Sequence, residues 1–328
     1  LKISIITPSF NQGQFIEQTI DSVLSQNYSA LEYIIIDGGS TDNSVEIIKK
    51  YEKHLTYWVS EPDRGQTHAI NKGLAITQGE LFNWINSDDY YEPGVFDKLS
   101  DYFSDSNVNV VCGKGNIVSE EGKYMRQSRG SDVYNSLSKT IGYARMDQPE
   151  TFFRRSVLTQ TGLLNDELHY LMDRDLWIKY LFSFGLSGIQ EVDDTFINFR
   201  MHHESKTGSQ FDLFQIDHDS FYLSMSRQYG FASEFQSISQ LCETHEGFEL
   251  KIPSHVTKNL ISEILSFYFL KRADEFYYRG DRAKSKKCLE MVDSQIIDAL
   301  GKKRLNDIKW KNQFVIFKMI QILRRLKR

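Results

Sequence analysis

The most chemically loaded feature of this 328-residue sequence is a set of acidic side chains placed just after apolar runs. Ile34-Ile35-Ile36 leads into Asp37-Gly38-Gly39-Ser40-Thr41-Asp42, the pattern of a buried strand ending in a carboxylate and a glycine turn, with Asp42 as a helix N-cap. There Asp37 can accept N–H or O–H donors from a base or a ribose; a plain turn and cap is the alternative. Leu81-Phe82-Asn83-Trp84-Ile85 leads into Asn86-Ser87-Asp88-Asp89. Two adjacent carboxylates repel one another unless a cation or hydrogen-bond donors offset the charge. A divalent cation bridging them to a diphosphate resolves that conflict, since Mg²⁺ and its relatives are held by one or two carboxylates with phosphate oxygens completing the shell. A solvated acidic turn is the alternative, and it weakens with every further cluster that converges on the same place. Neither G-x-G-x-x-G nor G-K-[ST] occurs, so a dinucleotide fingerprint and a P-loop are excluded.

Such clusters need a scaffold that brings them together. Over the first 120 residues, β-branched runs at 3–7, 33–37, 57–60, 81–86 and 108–112 read as strands. Between them, 15–26, 43–51, 67–77 and 94–103 carry apolar residues at helical spacing, for example Ile16, Ile20, Val23 and Leu24. Strand–helix alternation with short links implies a mostly parallel α/β sheet with helices on both faces. Thr7-Pro8-Ser9, Asp37-Gly38-Gly39-Ser40, Ser60-Glu61-Pro62-Asp63 and Asn86-Ser87-Asp88-Asp89 then all lie at carboxyl ends of strands, where open α/β sheets bind ligands. From about 113 to 200 the pattern is irregular, with a hairpin expected at Glu120-Glu121-Gly122 and a helix near 173–184. Beyond about 210 helical periodicity takes over, as in Leu260, Ile264, Phe267 and Leu270. The expected division is 1–210, with a change of pattern at about 112–113, followed by a helical region at 211–328.

Four motifs in order, Thr7-Pro8-Ser9-Phe10-Asn11, Asp37-Gly38-Gly39-Ser40-Thr41-Asp42, Glu61-Pro62-Asp63-Arg64-Gly65-Gln66 with Asn71-Lys72-Gly73, and Asn86-Ser87-Asp88-Asp89, resemble those of the family 2 glycosyltransferases. The resemblance spans roughly 1–205 and implies a donor half over about 1–112 and an acceptor half over about 113–210. It implies a Rossmann-like GT-A fold and inverting transfer of a sugar from a nucleotide-diphosphate donor, with UDP- or dTDP-sugars expected. It implies that Pro8, Asp37 and Asp63 line the nucleoside pocket and that Thr7, Phe10, Asn71 and Lys72 belong to the donor site. Asp88 would face the ribose and diphosphate, and Asp89 would ligate Mg²⁺ or Mn²⁺. Asn86 stands where many relatives carry Asp, leaving two acids and favouring a single metal.

Tyr170-Leu171-Met172-Asp173-Arg174-Asp175 resembles the family's acidic segment at the start of the acceptor-side helix. It implies Asp173 as the general base that takes the proton of the attacking hydroxyl. Met172 replaces a frequent Glu, and Asp175 remains the rival; a helix-start acid favoured by the dipole is the bland reading of either. Phe199-Arg200-Met201-His202-His203-Glu204-Ser205-Lys206 resembles the family's late Tyr-Arg-x-His segment. It implies His202 at the metal or the leaving diphosphate, with Arg200 and Lys206 neutralising phosphate charge. His203 is the weaker histidine, and His68 lies near the donor without an assigned role. Gln148-Pro149-Glu150-Thr151-Phe152-Phe153 fits the family as part of the acceptor side.

Composition bounds the rest. Hydrophobic residues at 40% and charged residues at 25% suit a globular protein. No apolar run is long enough to span a bilayer, and no leader pattern opens the chain. Cys112, Cys242 and Cys288 are too few and scattered for a disulfide framework or a zinc cluster and are expected as buried small side chains. The expected location is therefore cytoplasmic. The net charge of −5 is uneven: 302–328 holds ten Lys/Arg against Asp307, a local +9 that leaves −14 for the rest. Within 310–328, Val315, Met319, Ile322 and Leu326 share one helical face with basic residues around them. A basic amphipathic helix of this kind suits an anionic membrane surface, hence peripheral contact at the inner face and a glycan or lipid-linked acceptor in bacterial cell-surface polysaccharide synthesis. A terminal helix packed on its own domain is the alternative, and nucleic acid is disfavoured because no recognition motif accompanies the charge. Two other functions compete. A sugar nucleotidyltransferase would carry basic residues after the first strand, which Pro8-Ser9-Phe10-Asn11-Gln12-Gly13 lacks; an inactive sugar-nucleotide-binding module would not need Asp37, Asp88, Asp89, Asp173 and His202 together.

Overall fold

A computed structural model describes residues 1–203, 205, 210–245 and 247–313. Lys206 and the amphipathic stretch at 314–328 lie outside the described residues. The chain divides into two units, 1–133 with 145–214, and 134–144 with 215–328.

In the first unit the apolar runs form β1 (Ile3–Ser9), β2 (Leu31–Asp37), β3 (Tyr57–Ser60) and β4 (Leu81–Trp84), separated by α1 (Ile16–Leu24), α2 (Ser44–Lys50) and α3 (Gln66–Ile76). β5 (Tyr90–Tyr91), α4 (Val95–Tyr102), β6 (Val110–Val118) and β7 (Tyr124–Gln127) follow. Ile3, Ile5, Ile35 and the α1 residues Ile16, Ile20 and Val23 are almost completely buried in one core. Each such side chain stabilises the fold by about 1.5–3 kcal/mol relative to exposure, which explains why every residue of β1 is buried. Strands covered on both faces by helices need no polar alternation.

The described strands form one sheet of order β3-β2-β1-β4-β8-β6-β9-β5, with β7 on β6; β8 is Thr151–Arg154 and β9 is Ile189–Arg200. β3, β2, β1 and β4 run parallel, as their strand–helix alternation predicts. Beyond β4 the sheet is mixed: β4–β8, β8–β6, β6–β7 and β5–β9 are antiparallel, while β6–β9 is parallel. The hairpin at Glu120-Glu121-Gly122 joins β6 to β7, the short α6 spans Leu158–Thr161 and α7 spans Met172–Phe184. Parallel register sets Ser9 beside Asp37 and Asp37 beside Ser60, so the polar strand ends stand side by side on one edge.

The second unit is helical: α5 (Leu137–Tyr143), most of α8 (Phe211–Gln228), then α9 (Ala232–Leu241), α10 (Lys258–Arg279), α11 (Arg282–Glu290) and α12 (Ala299–Gln313). The segment 134–144, expected in the acceptor half, belongs here. Gly142 lets α5 press on α10: a Cβ there would stand 2.4 Å from the Ile264 carbonyl oxygen and 2.9 Å from the Phe267 Cβ. Tyr222 donates to the Ile141 carbonyl at 2.7 Å and stacks on Tyr268 with ring centroids 4.1 Å apart. No described helix is long and apolar enough to cross a membrane.

Candidate active site

At the carboxyl edge of β1–β4 lies a cavity of about 600 Å³, contained within the first unit. On one side stand Pro8 and the 60% exposed Phe10, with Gly38 and Asp63 beside them. Gly38 leaves room for Asp63, since a Cβ would come within 2.8 Å of its carboxylate. Asp63 in turn accepts from the Gly65 N–H at 2.7 Å, which shapes the turn into α3. Asp37 is fully buried and holds the neighbouring turn: it accepts from the N–H groups of Gly39 and Ser40 and the hydroxyls of Ser40 and Ser60. Asp42 accepts from the Ser44 and Gly13 N–H groups and ties two loops together, while Asn43 occupies the α2 N-cap position.

Three further residues of the sequence motifs, Thr7, Asn71 and Lys72, are not among those that line the cavity. The Thr7 hydroxyl pairs with the Tyr33 hydroxyl at 3.0 Å in the core. Asn71 binds Leu164 through both N–H and carbonyl and reaches Asp166 at 2.5 Å, so it anchors the 164–166 loop. Lys72 pairs with Glu61 at 2.7 Å. His68 accepts from the Arg64 N–H at 3.3 Å, closing the same turn from the helix side.

The two adjacent acids diverge. Asp88 lines the cavity, and its Oδ2 lies 2.9 Å from Nε2 of His202, whose ring packs on Phe15. Asp89 is turned into the protein, 1% exposed, and accepts from the Arg200 N–H at 2.9 Å and from Asn86 at 3.3 Å. Burial, then the Asp88 charge, raises its pKa well above the ordinary carboxylate value. Arg200 is committed too. Its guanidinium donates to the Asp88 carbonyl, the Glu120 carbonyl and Gln18, and lies over the Phe15 and Tyr90 rings. It clamps the Asp88–Asp89 turn and does not line the cavity. His203 is exposed, 3.9 Å from Glu120.

The start of α7 presents Met172 and Asp173 to the cavity, beside Tyr170, Phe214 and Trp84. Burial pushes the Asp173 carboxyl up to about 7, with the Asp147 charge adding to the rise. Asp175 faces away: 2% exposed, it forms an ion pair with Lys179 at 2.6 Å. Residues whose role the sequence left open complete the wall. Gln148 is fixed by buried bonds to Asn83 and Trp84, and Gln66 holds Asn86 at 2.6 Å. Burial also raises Glu150 to about 7 and Asp147 to about 6. The clue to Gln148 was a polar side chain directly before Pro149 and the buried strand Thr151–Arg154.

Residues 4–161 match the family model described as Glycosyl transferase family 2. This segment is a family 2 glycosyltransferase domain. The chain is 26% identical over 219 residues to an uncharacterized glycosyltransferase of Rickettsia typhi, covering 63% of this chain and 66% of the relative. It spans between about a third and two thirds of the length of the first such relatives. Among solved structures, S. aureus TarS 1-349 in complex with UDP-GlcNAc superposes with a TM-score of 0.59 at 19% identity, covering 95% of this chain and 88% of TarS 1-349. The mannosyltransferase PcManGT of Pyrobaculum calidifontis, in complex with GDP-Man and Mn²⁺, gives a TM-score of 0.52 at 14% identity, covering 97% of this chain and 82% of its own. The fold of the family 2 domain is thus that of the GT-A glycosyltransferases, an α/β sheet followed in this chain by a helical region.

Proposed function

We propose that the chain transfers a sugar from a nucleotide-diphosphate donor, UDP- or dTDP-linked, to a hydroxyl of a glycan or glycolipid, with inversion at the anomeric carbon. The observation that carries this reading is one cavity lined by Pro8 and Asp63, by Asp88 with the buried His202 hydrogen-bonded behind it, and by a partly buried Asp173. Asp173, when ionised, takes the proton from the acceptor hydroxyl as that oxygen bonds to the anomeric carbon. The bond from that carbon to the diphosphate breaks on the opposite face, and the nucleoside diphosphate leaves with the electron pair. Asp175, neutralised by Lys179, is the weaker base candidate on this geometry.

A divalent metal fits the donor set. Asp88 and His202 offer a carboxylate oxygen and an imidazole nitrogen side by side, the mixed donors that Mn²⁺ accepts alongside oxygen ligands. Among the described residues no third acidic, His or Cys side chain joins them, so diphosphate oxygens and water would complete the shell. The role given to Asp89 from the sequence passes to Asp88 and His202, because Asp89 holds the turn through Arg200. When bound, the metal would offset the charge that develops on the leaving diphosphate. PcManGT, solved with Mn²⁺, supports the same expectation. The reading is tested by a screen of UDP- and dTDP-sugars for nucleotide release with and without Mn²⁺; release from none of them would end it.

A second reading concerns location. α12 exposes Leu300 and Trp310, at 69% and 52%, among exposed Lys302, Lys303 and Lys309. Apolar tips within basic surface favour peripheral contact with an anionic membrane, the inner leaflet for a cytoplasmic enzyme with a lipid-linked acceptor.

A further inference from the structure

A buried amide in the cavity wall has one half of its hydrogen-bonding capacity fixed and the other half turned to the ligand space. Gln148 is 5% exposed and lines the cavity. Its Nε2 donates to the Trp84 carbonyl at 2.7 Å and to Asn83 Oδ1 at 2.5 Å. A backbone carbonyl only accepts, so the nitrogen must face Trp84 and the amide cannot be reversed. Asn83 is fixed by the same logic: its Nδ2 donates to the Pro149 carbonyl at 3.1 Å and to the Tyr91 hydroxyl at 3.2 Å. Asn83 itself is fully buried on β4 among apolar side chains. Burying two amides, Asn83 on a core strand and Gln148 in the loop before β8, costs desolvation that an apolar pair would avoid, and what the pair achieves is to hold one side chain in one orientation.

Gln148 Oε1 accepts no hydrogen bond from the described residues, yet it is not sealed from solvent, so its open lone pairs face the cavity. The carbonyl that anchors it belongs to Trp84, two residues before Asn86 and four before Asp88, on the strand that delivers the diphosphate side of the site. Asp173 lines the same cavity. Oε1 therefore opens on the cavity that Asp88 and Asp173 also line, the space that the glycosyl-transfer reading gives to the donor sugar.

We propose that Gln148 is a specificity-determining residue: its Oε1 accepts a hydrogen bond from one ring hydroxyl of the donor sugar and selects sugars that carry that hydroxyl. This rests on the glycosyl-transfer reading above. Because Oε1 is an acceptor only, the selected hydroxyl must act as the donor. That gives a signature independent of any mutation. Fluorine can accept weakly but cannot donate, so replacing the key hydroxyl by fluorine should be as harmful as replacing it by hydrogen.

The experiment starts from whichever UDP- or dTDP-hexose the wild-type chain turns over. The deoxy and deoxyfluoro forms at each ring position are then compared by kcat/KM. One position should lose roughly 10- to 100-fold in both forms, the range for leaving a buried acceptor unsatisfied. In Gln148→Met that position should cease to matter, while binding of UDP or dTDP alone, followed by calorimetry, stays close to wild type. The proposal is overturned if every position tolerates substitution, if fluorine restores the lost rate, or if the discrimination persists in Gln148→Met. A uniform loss at all positions in that variant also overturns it, and so does discrimination confined to acceptor analogues. Failure of every nucleotide sugar to turn over counts instead against the functional reading.

Discussion

Asp173 and Asp175 stand two residues apart at the start of α7, and burial gives them opposite characters. Asp175 is paired with Lys179 behind the cavity wall, whereas Asp173 faces the cavity with its pKa raised to about 7. A base must be ionised to accept a proton, so kcat/KM should rise with pH toward about 7 and level off above it. Asp173→Asn should leave donor binding nearly intact and lower kcat by roughly two to four orders of magnitude; near-normal turnover in Asp173→Asn would remove it as base. Asp147→Asn takes away a like charge, so the acidic limb of the wild-type profile should move to lower pH. The same burial means folding favours protonated Asp173: its contribution to stability is present below the ordinary carboxylate pKa and fades as pH climbs through about 7. The metal assignment has its own test. Asp88→Ala and His202→Ala should each weaken Mn²⁺ binding, read by calorimetry in the presence of UDP. Asp89→Ala should instead lower the unfolding midpoint, since it removes the acceptor of the Arg200 N–H. Equal loss of Mn²⁺ binding in Asp89→Ala, with the midpoint unchanged, would return the role to Asp89. Residue types and order were enough to find these acids. Which of two neighbours faces the cavity was not legible, because it depends on Arg200 and Lys179, brought from other places in the fold or from the next helical turn.

Elements explain what was legible and what was not. β1 to β4 could be read because each is a short apolar run with local helical links, and period and turn chemistry are local properties. The second half of the sheet is assembled from long-range pairings, β8 between β4 and β6 and β9 beside β6, which leave no periodic trace in the sequence. Likewise 134–144 shows nothing in its own pattern of its partner helix more than 120 residues away. The contact itself gives a test. Gly142 faces the Ile264 carbonyl so closely that one methyl group must push α5 from α10. Gly142→Ala should destabilise the helical unit by about 1–3 kcal/mol, the usual cost of overpacking, despite the better helix propensity of alanine. Urea unfolding reads this directly, and a variant as stable as wild type would show that the helices can shift at no cost.

At the scale of the whole molecule, charge is segregated. The last 27 residues carry +9 on a chain whose net charge is −5. The described part of that stretch shows where the charge stands: on α12 the buried face is Gly301, Leu305, Ile308 and Asn312, while Lys302, Lys303 and Lys309 lie outward with Leu300 and Trp310. Arg304 and Lys311 are partly neutralised by Asp274 and Asp307 and should contribute less. Each basic residue near an anionic surface is worth about 1 kcal/mol and fades within a Debye length, so several together would give reversible docking that salt releases. Full-length chain should therefore co-sediment with vesicles containing anionic lipid at low salt, come off at high salt, and ignore vesicles of neutral lipid. Trp310→Ala with Leu300→Ser should weaken that binding several-fold through lost insertion into the headgroup layer. Reversing Lys302, Lys303 and Lys309 to Glu should abolish it while leaving nucleotide release from a soluble acceptor reaction unchanged. Equal sedimentation of wild-type and charge-reversed protein would mean that this surface serves something other than a membrane, and the segregated charge would then belong to the packing of the terminal helices alone.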